Sequence, residues 1–300
     1  MKVYLNDPIA PSALERLKAH VEITDNFDHP EELDAIIVRQ QYCTAEVIRK
    51  AVNCRLIQQH GSGLDRIDVE AAKECGIPVK NTPGVNARSV AEYTVAMMLD
   101  LSRMVSVIDR KTRKGLLPRF GMSETVGNEL THKRLGMIGS GHVAHEVAQI
   151  CRDGFHMEIF CHSTHHSDGK IRETGFIPVS FRELFSVCDF VSVHCMLTPE
   201  TYHMINAECF ESCNPGLILI NTARGGLVDE QALYEALTAG KLAAAGLDVF
   251  ESQPPAVDNP LFSLDNFLAG MHVAGSTHEA LERNGKAVVD SVFEALGIDG

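Results

Sequence analysis

Apolar and polar positions are arranged in short strand-like runs along nearly the whole chain, each followed by a stretch of helical period. Lys2 to Leu5, Ala35 to Val38, Arg55 to Gln58 and Pro78 to Lys80 read as strands. Ser12 to His20 and Thr44 to Val52 between them read as amphipathic helices. This alternation is the grammar of parallel sheets. A long helical run, Ser89 to Lys111, is apolar over most of its circumference in the middle, as expected of a helix buried on several sides. The poorly periodic GLLPRFGMSETVGNELTHK follows, and a second series then runs through LGMIG, MEIFCH, DFVSVHC, LILINTA, LAAAGLDVF and FLAGMHVA. A last helix, from about Thr277 to Leu296, is expected to return to the first domain. The crossover between domains is expected within the long helix, near Asp100.

Size and charge narrow the picture. A chain of 300 residues with 45% hydrophobic residues exceeds what one core usually holds, so two domains are expected. Lys and Arg total 27 against 40 Asp and Glu, a net charge of -13, which argues against nucleic acid or an anionic membrane as partner. A small anionic ligand would need a locally basic pocket. The 9 cysteines are odd in number and scattered through apolar runs, the usage of reduced thiols in a cytoplasmic protein. The opening MKVYLNDPIAPSALERL has no apolar leader run, and no later run approaches the ~18 apolar residues of a membrane span.

The chemistry begins at LGMIGSGHVAHEVAQI. Gly139, Ser140 and Gly141 form a G-x-G turn between a strand and a helix, with His142 and Val143 opening the helix and Ala144 at the third glycine position. The first glycine allows the tight turn and the second lets backbone N–H groups approach a pyrophosphate. The acid that would hold the ribose 2′-OH some 20 residues on falls on His162 or Ser163, neither of which is acidic. Either the site accepts a 2′-phosphate, with Ser163, Thr164, His165 and Lys170 around it, or it dispenses with the acid. NADP is slightly favoured over NAD. His162, His165 and His166 lack the spaced partners of a ligand set and read as a solvated loop, so no metal is expected. Cys209 and Cys213 read as core packing.

LILINTARGGLVDEQALYEAL is more specific. A buried strand ends at Asn221-Thr222, Arg224 emerges at its tip, two glycines turn the chain, and Asp229 caps the next helix. Ligands of open parallel sheets bind beyond the carboxyl ends of strands, where a planar cation can hold a carboxylate. In GLDVFESQPP, an apolar run breaks into a loop where Glu251 and Gln253 stand two apart.

These segments, with HGSGLDRIDVEAAKECGIPV, NTPGVNARSVAEYTVAMML, HCMLTPETYHMIN and HVAGST, resemble the D-isomer-specific 2-hydroxyacid dehydrogenase family over nearly the whole chain. The likeness looks closest to the branch of phosphoglycerate dehydrogenase and glyoxylate/hydroxypyruvate reductases. It implies an α/β protein of two Rossmann-like doubly wound parallel-sheet domains. The substrate domain would be flavodoxin-like and discontinuous, residues 1–99 plus 278–300, and the dinucleotide-binding domain would be 100–277. A homodimer through the cofactor domain is implied as well.

By the same resemblance, Arg224 binds the carboxylate and carbonyl of a small anionic 2-oxo or 2-hydroxy acid, His272 is the general acid/base, and the backbone of Gly61, Ser62 and Gly63 donates to the carboxylate. The nicotinamide would lie near Thr94, Thr222, Ala223, Arg224 and Asp248, with His272 and Gly275 beside it. Cys195, Met196 and Thr198 would cover the adenosine side.

The departures matter too. Met196 stands where a proline is usual, Gly270-Met271 where Thr-Pro is usual, Gln59 where arginine is frequent, and Gln253 where the catalytic glutamate falls. A carboxylate beside histidine stabilises imidazolium, which an amide cannot do. The implied reaction is NAD(P)-dependent interconversion of a 2-oxo acid and its D-2-hydroxy acid, mainly as reduction. The alternatives are hydride abstraction from formate, as in the formate dehydrogenase branch with its glutamine–histidine pair, and a dinucleotide-sensing corepressor of the same fold.

Overall fold

The computed structural model describes residues 1–116 and 126–299, so part of the irregular segment after the long helix lies outside the described residues. The chain divides into two compact units, residues 1–86 with 276–300 and residues 87–275.

The first unit is built from β1 (Lys2–Tyr4), α1 (Pro11–Lys18), β2 (Glu22–Thr24), β3 (Ala35–Val38), α2 (Ala45–Lys50), β4 (Leu56–Gln59), α3 (Val69–Glu74) and β5 (Val79–Lys80). The second holds α4 (Ala87–Arg103), α5 (Val105–Arg113), β6 (Arg134–Ile138), α6 (His142–Phe155), β7 (Glu158–His162), α7 (Asp168–Glu173), β8 (Ile177–Pro178), α8 (Phe181–Val187), β9 (Phe190–Val193), α9 (Ala207–Glu211), β10 (Ile218–Asn221), α10 (Glu230–Thr238), β11 (Ala244–Leu247) and β12 (Phe267–Ala269). α11 (His278–Leu296) then completes the first unit.

Both sheets are parallel. The first has the order β2-β1-β3-β4-β5, the flavodoxin-like arrangement, and the second β12-β11-β10-β9-β6-β7-β8, the Rossmann order with one further strand. β3, β4, β9, β10 and β11 are buried at every residue because both faces of their sheets are covered. In the first unit, Val288, Val292 and Phe293 of α11 pack with Leu17 and Leu56 on one face, while Ile36, Ile48 and Ile57 form the core of the other. The second sheet likewise separates a cluster around Leu219, Leu233 and Phe250 from one around Met98, Met137 and Ile220.

The long helix departs from expectation in two ways. It breaks at Met104, whose left-handed φ of 54° ends α4, and Asp100 holds the break by accepting the N–H and hydroxyl of Ser106, each at 2.7 Å. α4 also belongs as a whole to the second unit. Ala91, Val95, Met97 and Met98 pack into that unit's core, so the contact boundary falls between Asn86 and Ala87 and not near Asp100.

Candidate active site

The sheet order of the second unit reverses between β6 and β9, and the chain leaving β6 there forms a glycine turn. Gly139 has φ +99°, and a Cβ on it would stand 2.6 Å from His194 O. Only glycine fits. A Cβ at Gly141, the residue before α6, would meet nothing within 4 Å, while Ala144 one turn later is fully buried. The start of a 14-residue helix is therefore approachable by a group that accepts its free N–H bonds, and an anion suits the positive end of the dipole. Gly139, Ser140, Gly141, His142 and Val143 fit the pyrophosphate of a dinucleotide.

At the end of β7, His162 is tethered by Nδ1 to Val179 O at 3.3 Å and packs edge-on to Phe181. Ser163 Oγ accepts the N–H groups of His165 and His166, each at 3.3 Å. His166 Nδ1 lies 2.6 Å from Ser140 Oγ, which ties this loop to the glycine turn. Thr164, His165 and Lys170 are exposed. In the following loop, Cys195 Sγ rests 3.8 Å from Met204 Sδ, burial pushes its thiol up to about 11, Thr198 N–H donates to Thr201 Oγ1 at 2.7 Å, and Met196 is exposed.

β10 delivers Arg224. The buried Asn221 folds its side chain over the turn, accepting Ala223 N–H at 2.9 Å and donating to Arg224 O at 2.8 Å. Arg224 is extended (φ -143°, ψ 140°), half-buried, and donates from Nη1 to Ala223 O at 2.7 Å. Gly225 behind it touches the neighbouring strand's exit so closely that a Cβ would fall 1.9 Å from Phe250 C. Beside this turn, Thr222 Oγ1 lies 3.0 Å from Thr94 Oγ1, which α4 buries completely.

β11 delivers Asp248 and the loop behind it. Asp248 is 1% exposed, and its two carboxylate oxygens accept Val273 N–H at 3.1 Å and Ala274 N–H at 2.8 Å. Its carbonyl accepts the N–H of His272 at 2.6 Å. A Cβ on Gly270 would meet Asp248 Oδ1 at 2.2 Å and Tyr93 Oη at 2.8 Å. Tyr93 stays a neutral phenol, since burial and then the Asp248 charge hold it above the ordinary value. His272, exposed and at φ +55°, pairs through Nδ1 with Gln253 Oε1 at 2.9 Å. An amide oxygen can only accept, so Nδ1 carries the hydrogen of the neutral ring. Glu251 turns away, its Oε1 accepting Glu230 N–H at 3.1 Å and its N–H donating to Glu230 Oε1 at 2.6 Å.

In the first unit, the turn after β4 holds Gly61 at φ +140°, with its N–H donating to Thr82 Oγ1 at 3.0 Å and Thr82 in turn donating to Asn284. Of the three expected backbone donors, Gly61 is thus engaged within its own unit. Ser62 donates its hydroxyl to Thr82 O, its carbonyl accepts from Asn81, and Gly63 follows it. Tyr93 and His203 escaped the sequence reading. The first looks like one more apolar position of α4, and the second like one more polar residue of a loop.

The family described as D-isomer specific 2-hydroxyacid dehydrogenase, NAD binding domain, matches residues 95–274. A hydroxypyruvate reductase of Thermotoga maritima is 39% identical over 312 residues, covering 99% of each chain. A D-3-phosphoglycerate dehydrogenase of Archaeoglobus fulgidus is 38% identical over 97% of this chain, which spans only 56% of that protein's length. Among solved structures, a D-lactate dehydrogenase from Aquifex aeolicus complexed with NAD and lactic acid superposes with a TM-score of 0.86 at 30% identity, covering 99% of this chain and 96% of that one.

The glycine geometry separates two roles. Gly139→Ala is expected to destabilise the fold by about 1–3 kcal/mol, because the new methyl meets backbone at a left-handed position. Gly141→Ala is expected to leave stability within about 0.5 kcal/mol while weakening NAD(P)H binding. Urea titration and nicotinamide fluorescence check the pair.

Proposed function

The chain belongs to the D-isomer-specific 2-hydroxyacid dehydrogenase family, and from that premise we propose that it reduces a small 2-oxo acid to its D-2-hydroxy acid with NAD(P)H. The observation that carries the reading is the convergence of three strand exits, those of β10, β11 and β12, within residues 87–275. The Arg224 turn is seated on Phe250 through Gly225, and three residues beyond Phe250, Gln253 holds His272. Arg224 clamps the substrate carboxylate and polarises the carbonyl. When bound, the reduced nicotinamide supplies hydride to the carbonyl carbon. His272 gives the proton from Nε2 to the carbonyl oxygen as that charge develops. Substrate binding by the N–H groups of Ser62 and Gly63 belongs to the same proposal, together with a part for Gly61 that its bond to Thr82 limits. Thr94, Thr222, Ala223, Asp248 and Gly275 border the nicotinamide, and Cys195, Met196 and Thr198 the adenosine.

The buried amide of Gln59, in place of a cation, favours an unphosphorylated acid. NADP is the preferred cofactor on the ground that no carboxylate stands at His162 or Ser163 to repel a 2′-phosphate. A homodimer through the cofactor domain is supported by α5, which buries none of its residues. The amide partner of His272 favours one second reading, oxidation of formate, since removing hydride from formate releases no proton.

Assays with glyoxylate, hydroxypyruvate, phosphohydroxypyruvate and, in the oxidising direction, formate, each with both cofactors, test the proposal. Turnover of a non-phosphorylated 2-oxo acid with NADPH at least as effective as NADH is expected. Formate oxidation alone would replace the first reading by the second. Arg224→Ala is expected to damage both KM and kcat, while His272→Ala mainly lowers kcat, by roughly 10² to 10⁴.

The amide makes a further demand on pH. Reduction consumes the imidazolium proton, so kcat/KM is expected to fall as pH rises through the titration of His272. Gln253→Glu adds a carboxylate that stabilises the charged ring, so the falling limb is expected to move to higher pH. Coincident profiles for the two proteins, with a solvent isotope effect showing that proton transfer limits the rate, would remove Gln253 from this role.

A further inference from the structure

His203 lies outside every assigned role, yet its backbone and ring are fixed on all sides. It adopts a left-handed φ of 50°, which costs a non-glycine residue energy unless its surroundings enforce it. Its N–H donates to Gly226 O at 2.8 Å, its carbonyl accepts from Asn206 Nδ2 at 3.2 Å, and its ring stacks on Tyr202 with centroids 4.0 Å apart. Held this way, its buried Nε2 lies 3.1 Å from Glu251 Oε1, close enough for charge attraction but without the alignment of a hydrogen bond. The charged groups facing the ring are Glu251 and, at the start of α10, Asp229; ligand-type atoms of all three residues lie within 4.8 Å of one another. Glu230 stands one bond further, joined to Glu251 by the reciprocal backbone bonds.

We propose that His203 is a positioning residue for the reaction, closing on Glu251 so that the segment from Phe250 to Gln253 stays in place and Gln253 keeps His272 oriented. The inference rests on the reductase reading above. Glu251 stands between two fixed points, Phe250 pressed against Gly225 and Gln253 bonded to His272. The segment is a loop with exposed residues from Glu251 to Pro254, so few apolar contacts hold it. Side-chain contacts around Glu251 therefore carry the restraint: Glu230 Oε1 accepts its N–H, and the His203 ring lies against its carboxylate. The bond from the His203 N–H to Gly226 is made by the backbone and survives truncation of the ring, so removing the imidazole leaves the Arg224 turn held.

The test is a cycle of His203→Ala, Glu251→Ala and the double variant, read by kcat and KM and by spectra of ¹⁵N-histidine-labelled protein, which report the His272 tautomer without turnover. In the unmodified protein the Nδ1–H form of His272 is expected. In both single variants that preference is expected to weaken toward Nε2–H, with kcat lower by about tenfold or more, as for a misoriented group, and KM changed by less than about twofold. Because His203 acts through Glu251, the double variant is expected to be no slower than the slower single variant. Losses that multiply in the double variant, or an unchanged His272 tautomer in both single variants, overturn the proposal. So does an equal loss on adding EDTA to the unmodified protein, which would mean a metal ion held by His203, Asp229 and Glu251. If His203→Ala fails to fold, His203→Gln, which fills much of the same space without an imidazole, decides through the same tautomer readout. A protein that reduces no 2-oxo acid sinks the reductase reading, and the tautomer comparison still decides whether His203 orients His272.

Discussion

The carboxylate of Asp248 is the interaction on which the site depends. It is removed from water at the end of β11, and a buried charge is tolerated only where its oxygens are satisfied. Two consecutive backbone N–H groups, those of Val273 and Ala274, satisfy them. Both groups follow His272 directly, so the cost of burying the charge is offset by fixing the path of the segment that presents the imidazole. The same constraint forces Gly270, where any side chain would collide with Asp248 Oδ1 and Tyr93 Oη. His272, whose own N–H and the N–H that follows it both bond Asp248, takes a left-handed φ of 55° there.

From this anchor the remaining geometry follows by short steps. Asp248 N–H is itself bonded to Asn221 O at 2.9 Å, joining the ends of β10 and β11. Asn221 folds the Arg224 turn, and Gly225 sets that turn against Phe250. The loop beyond Phe250 returns to His272 through Gln253. Arg224, Gln253 and His272 thus follow three successive parallel strands, β10, β11 and β12, beyond their carboxyl ends, where an open sheet leaves room for a ligand. The N–H groups at the head of α6 sit at the strand-order reversal of the same sheet, which is where a dinucleotide suits the fold.

Much of this was legible in the sequence because it is local. The period of apolar residues placed β3 at Ala35–Val38, and the glycine pair after β6 announced a turn that the φ of Gly139 requires. Gln253 facing His272 was readable only through the family motif, since nineteen residues separate them. What escaped depends on distant contacts or on balances that composition does not carry. A helix apolar around its circumference does not say which sheet it covers, so the boundary expected near Asp100 falls instead at Ala87. The break at Met104 turns on Asp100 reaching Ser106, a preference invisible in hydrophobic period. Asp248 reads from sequence as a cofactor neighbour, and its bonds to residues 25 and 26 positions away appear only in the fold.

The most direct test of the account is amide hydrogen exchange at Val273 and Ala274 in Asp248→Asn, compared with the unmodified protein under conditions where both remain folded. The asparagine side chain has the same shape but one accepting oxygen, so it can satisfy only one of the two N–H groups. At least one of the two amides is expected to exchange about tenfold faster or more, the loss of a single buried hydrogen bond of about 1.5 kcal/mol, with the His272 ring losing its fixed tautomer alongside. Unchanged protection at both amides, with His272 still held by Gln253, would contradict the claim that this carboxylate holds the site together.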